Sequence, residues 1–207
     1  MLLTGILLAS VFALLLIESV GYRRGGFNGA FWQLSLDDKL DHVAKHDHDW
    51  WWVGSWSLVG LFLLTGGLSA LTYLLADAGE PVLAFVGLGI YLVALIAWIY
   101  GLLFQTAGMS QAAKQRQETG VTPSWIHPLW YAGYLSEGGW VVGANIAYAV
   151  IGLAILNTGL LPGWAGWTAI AFGVLIPVGV AITKAAFPQL ADLAPLVIGV
   201  AAIIEAV

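Results

Sequence analysis

The stretch from Trp51 to Ala76 reads WWVGSWSLVGLFLLTGGLSALTYLLA. Its 26 residues include no Asp, Glu, Lys, Arg or His. A run this long and apolar reads as a transmembrane helix, because about 20 residues rising 1.5 Å each cross a hydrocarbon core of about 30 Å. The next five residues, Asp77-Ala78-Gly79-Glu80-Pro81, form a short polar turn. A second apolar run, 82–107, begins at once.

Working outward from this pair, four more apolar runs appear at roughly 2–20, 129–156, 164–183 and 190–207. At the rise of an α-helix the six runs are about 27–42 Å long. The expected fold is all-α: a polytopic membrane bundle of about six transmembrane helices forming a single domain over 1–207. A His/Asp-rich loop, 23–50, joins the first two spans. Leu2 onward is apolar with no basic n-region, and no small-residue cleavage pattern precedes Gly21. The first run therefore reads as a retained helix rather than a removed signal peptide.

Composition agrees. Of 207 residues 60% are hydrophobic and 9% charged, with a mean hydropathy of +0.88. Soluble domains carry about 25% charged residues, so a bilayer is the expected partner of this surface. The net charge is −5, five of the 12 acids gather in one loop, and no basic cluster suggests nucleic acid. The absence of Cys excludes disulfides and thiolate metal sites.

Charge also orients the chain. If the loop after the first span is inside, Arg23, Arg24, Lys39, Lys45, Lys114, Arg116 and Lys184 all fall on that side, while the opposite loops carry Asp77 and Glu80. Basic residues mark the cytoplasmic face. The expected location is therefore a bacterial inner membrane, with both termini outside. Trp50, Trp51, Trp52, Trp125 and Trp130 read as inner-interface anchors, and Trp164 and Trp167 as outer ones. Glycines inside the spans permit close helix approach. Pro177 and Pro195 are expected to kink the fifth and sixth spans. No internal repeat suggests a transporter built from inverted halves.

Two groups of residues carry possible chemistry. The first is the loop Ser35–Asp49. Ser35 with Asp38 three residues later resembles a capping box, and Leu36, Leu40 and Val43 form an apolar stripe at helical spacing. These features predict an interfacial helix, free to run straight into the second span because no Gly or Pro intervenes from Leu36 to Val53. On such a helix Asp38, His42, His46 and Asp49 share a face. Two His at i, i+4 can chelate a divalent metal, with carboxylates as ligands or orienting groups and His48 and His127 as alternates. The same residues also suit the solvated face of a surface helix, and the zincin Glu is missing.

The second group is polar residues within or at the ends of spans. Glu137 lies about two turns into the fourth span, and Asn145 follows at i+8, on much the same face. Ionisable groups at such depth are expensive and mark candidate sites for a ligand or proton. Glu18, Gln105, Lys184 and Asp192 fall on the same, cytoplasmic half, and together these groups are expected to line an inward-open polar cavity, with snorkelling at the interface as the alternative for Lys184 and Asp192. Hydrogen bonding between neighbouring helices is the structural alternative for Glu137. No Lys lies mid-membrane for a covalent retinal, and no His there suits a bis-His haem.

The turn Leu161-Pro162-Gly163-Trp164-Ala165-Gly166-Trp167, ahead of a late Gly-rich helix, resembles the "LP-x-W-x-G-W" turn of small bacterial DUF4386-type multi-pass membrane proteins. The segment holding Pro123, His127-Pro128-Leu129 and Glu137 is loosely similar, so the resemblance covers roughly 51–204. It implies the architecture and supplies no activity. Three readings follow. The favoured one is an accessory subunit or ligand-binding bundle with an inward-facing polar pocket, in a homo-oligomer or larger membrane complex. The others are a metal-dependent enzyme acting on a lipid-soluble substrate and a small proton-coupled transporter.

Overall fold

A computed structural model describes residues 1–185 and 187–207. Its elements are α1 (Leu2–Arg24), α2 (Gly29–Gln33), α3 (Leu36–Lys45), α4 (Asp47–Asp77), α5 (Pro81–Thr119), α6 (Ile126–Thr158), α7 (Gly163–Thr183) and α8 (Leu193–Ile204). No strand occurs among the described residues. The all-α bundle is as expected, and five helices, α1 and α4 to α7, are long and apolar enough to cross a membrane.

The sixth expected span differs. It is a 3₁₀ turn, Pro188–Asp192, followed by the 12-residue α8, which at 1.5 Å per residue covers only about 18 Å. Pro195 sits in the first turn of α8, where a missing N–H costs nothing, so it kinks no helix. The third span is longer than expected. It continues through a π-helical turn, Phe104–Gly108, to Thr119, which puts Lys114 and Arg116 on a helix rather than in a loop.

Six helices form a ring in which α1 packs on α4, α4 on α5, α5 on α6, α6 on α7, α7 on α8 and α8 back on α1. Close approach depends on small residues. A Cβ on Gly199 would lie 2.6 Å from the backbone nitrogen of Ala9, and one on Gly173 would lie 2.6 Å from the carbonyl oxygen of Asn145. Gly5 lies against Gly199 and Ile203, whereas Gly21 lies against Trp52 and Val53. The C-terminal end of α8 therefore stands beside the N-terminal end of α1.

α3 corrects two expectations. Its N-terminus is as read: Ser35 Oγ accepts from Asp38 N–H at 3.2 Å and donates to Asp38 Oδ2 at 2.6 Å. However, the helix ends at His46 (φ −125°, ψ 30°), and α4 starts afresh. Nor does its apolar stripe lie on a bilayer. Leu40 and Val43 are fully buried with Met109, Ala112 and Ala113 of α5 and Ile126 of α6. The extension of α5 past the apolar run supplies that protein surface, and Arg116 fastens the pair through Asp41 (Nε–Oδ1 2.8 Å, Nη2–Oδ2 3.2 Å) and Asp37 (3.2 Å).

Candidate functional site

A cavity of about 790 Å³ occupies the half of the ring that carries the basic residues. It forms because the helices do not fill their common axis at that end. Glu18 lies on the α1 face that also holds Val11 and Leu14, at spacings of seven and four residues, so helical periodicity alone points it inward. Its carboxyl is beside the Ser57 hydroxyl of α4 and it is buried, at 8% exposure. Glu137 of α6 faces Gln105, which sits in the π-helical turn of α5. Asp192 closes the 3₁₀ turn and faces Glu18, and Tyr22 lies near both glutamates.

Two local irregularities shape this chamber. The first is the π-helical turn. Its widened hydrogen-bond ring frees carbonyl capacity, and the indole N–H of Trp50 donates to Gln105 O at 3.1 Å and Thr106 O at 3.2 Å. Trp50 is thereby a buried wall of the cavity instead of an interface anchor. The second is the end of α7. Lys184 adopts a left-handed conformation (φ 57°) that turns the chain away, and its carbonyl accepts from Tyr134 Oη at 2.7 Å. The segment after it, including Phe187 and Gln189, then returns along the cavity.

The mouth is built by the loop between α1 and α3. Exposed residues Asn28, Gly29 and Gln33 line it. The Asn28 side chain caps α2 by accepting from Ala30 N–H at 3.0 Å and Phe31 N–H at 3.4 Å. Trp32 stacks on Trp130 (6.2 Å, 20°), and the Lys39 ammonium lies 5.1 Å over the Trp130 ring. Trp130 is thus part of the entrance rather than a lipid anchor. Lys39 is 7% exposed, and burial pushes its amine below its ordinary value.

Of the residues singled out from sequence, Glu18, Gln105, Glu137 and Asp192 do meet around one cavity, whereas Lys184 is not among its lining residues. Asn145 does not line it. Eight residues beyond Glu137 means about 12 Å along the helix and about 80° around it. Asn145 is fully buried, donates to Val141 O at 2.8 Å, and leaves its Oδ1 without a partner.

The metal-ligand set is not assembled. His42 Nε2–H donates to Gly25 O at 2.6 Å, which ties the loop before α2 to α3. Its ring lies 4.8 Å from that of His46, but Asp38 is engaged by Ser35, and Asp49 pairs with Arg24 at 3.2 Å. The break at His46 takes Asp49 off the shared face. His48 is exposed beside Asp49, and His127 is exposed at the start of α6. Among the described residues no three of His, Asp and Glu stand where they would hold a metal ion.

Sequence reasoning missed Lys39, Ser57 and the aromatic entrance. One signal was present: Lys39 stands three residues after Leu36 and four before Val43, inside the apolar stripe of α3. The chain matches no family model, no curated protein and no solved structure.

Proposed function

We propose that this protein is a small-molecule-binding bundle of the cytoplasmic membrane, with both termini outside and its cavity opening to the cytoplasm. The observation that carries this reading is the cavity itself. Its 790 Å³ lies in the range of about 300–1,000 Å³ typical of ligand pockets, and apolar walls surround a few convergent polar groups. The orientation rests on the seven basic residues at one end of the bundle and on Asp77 and Glu80 at the other, where Glu80 accepts from Asn157 at 2.8 Å. The Leu161–Trp167 turn supports kinship with DUF4386-type membrane proteins.

Filling the chamber tests the reading. Ser57→Trp places an indole in the cavity from the face of α4. In a thermal-shift screen of diverse apolar, cationic and anionic small molecules, some compounds are expected to stabilise the wild type and to lose that effect in the variant. A screen in which no compound stabilises the wild type, or in which wild type and variant respond alike, would overturn the proposal.

A further inference from the structure

We infer that the cavity takes a monovalent organic cation with an apolar body. This rests on the binding reading above and names its ligand class. The first observation is charge. Glu18, Glu137 and Asp192 converge on the chamber, and among the described residues no ion pair engages any of them. Glu18 is more than nine-tenths buried, with a neutral hydroxyl, Ser57, as its polar neighbour. A carboxyl in apolar surroundings needs a proton or a cation to be tolerated. Among the described residues that line the chamber the one Lys or Arg is Lys39, whose ammonium lies over Trp130. Three carboxyls against one amine leave the chamber short of positive charge.

The second observation is independent of charge. Trp98 and Trp140 line the chamber together with the apolar side chains of Leu61 and Leu64. Indole faces attract desolvated cations, and organic ammonium or phosphonium groups shed water more readily than metal ions. Carboxyls, indoles and an apolar floor thus match the three parts of one ligand: a charge, the groups around it and a hydrocarbon body. A neutral lipid would leave the carboxyls to be compensated by protons alone, whereas an organic cation supplies the charge itself and an organic anion would be repelled.

The test uses two ions of the same shape and opposite charge, tetraphenylphosphonium and tetraphenylborate, titrated into the purified full-length chain in detergent and followed by tryptophan quenching. Ser57→Trp serves as the background for micelle partitioning. The phosphonium is expected to bind at least about tenfold more tightly than the borate. The double variant Glu18→Gln, Asp192→Asn is expected to weaken the phosphonium about tenfold and to leave the borate bound as well as before or better. Borate binding equal to or tighter than phosphonium binding would overturn the cation inference and leave the binding reading standing. If neither ion binds above the Ser57→Trp background, the inference also falls, and the compound screen decides the binding reading separately. Should the double variant fail to fold, the comparison of the two ions on the wild type still decides.

Discussion

The two halves of the ring use the same helices for opposite purposes. Toward the chain termini, Leu68, Leu71, Leu75, Tyr148, Ile151 and Ile155 are fully buried, and glycines bring backbones into contact. Toward the basic end the same helices enclose a chamber with three carboxyls. In lipid, helices associate through close packing because apolar area itself gives little drive. The packed half can therefore hold the ring together, while the open half is released from that task and can carry groups that oppose packing.

Substitutions that exchange the character of the halves test this division. The largest effect is expected from Gly199→Val, because an added Cβ would sit 2.6 Å from the Ala9 nitrogen with backbone on both sides. A loss of about 3 kcal/mol is expected, measured by detergent or thermal unfolding. Gly60→Ala, in the open half, meets only Leu14 Cδ1 at 3.4 Å and should be nearly neutral. Leu40→Ala should remove about 2–3 kcal/mol from the α3 cap, read as faster proteolysis of the 25–50 segment with the ring intact.

Glu137→Leu should act in the opposite direction. Replacing a half-buried carboxyl, which no ion pair engages among the described residues, by an apolar side chain is expected to raise stability by about 1 kcal/mol while abolishing ligand binding. A stability loss there would show that Glu137 serves the fold. Ser35→Ala should cost about 1 kcal/mol of α3 stability through the lost cap.

The smallest effect concerns pH. The hydrogen bond from Arg116 holds the Asp41 carboxyl below its ordinary value of 3.8. A depressed native value means that the contribution is present above pH 3.8 and fades as pH falls through the lower native value. Asp41→Asn should flatten this acid limb in thermal unfolding and leave the neutral-pH midpoint close to that of the wild type, because water screens the pair.

The fold was legible because long apolar runs have few alternatives. The convergence of Glu18, Gln105, Glu137 and Asp192 was legible for a related reason: polar groups in apolar helices turn toward one another, and the basic residues place them at one level. What could not be read was which apolar surface a stripe meets. Leu40 and Val43 suit a bilayer and a protein neighbour equally, and the decision lay in how far α5 continues. The break at His46 has no Gly or Pro to announce it, so the shared face of Asp38, His42, His46 and Asp49 looked continuous. Trp50 and Trp130 followed interfacial statistics, whereas one is held by carbonyls of an irregular turn and the other by a cation and a stacked ring.

That irregular turn has a consequence for how the chain can change. A π-helical turn holds one residue more than an α-helical turn, so Phe104–Gly108 absorbs an extra residue while the helical lengths on either side keep their faces. Deleting a single residue there would restore an α-helical turn and leave Ala112 and Ala113 toward the α3 stripe, but it would withdraw the carbonyls of Gln105 and Thr106 that accept from Trp50. One codon therefore sets whether this wall of the cavity keeps its anchor.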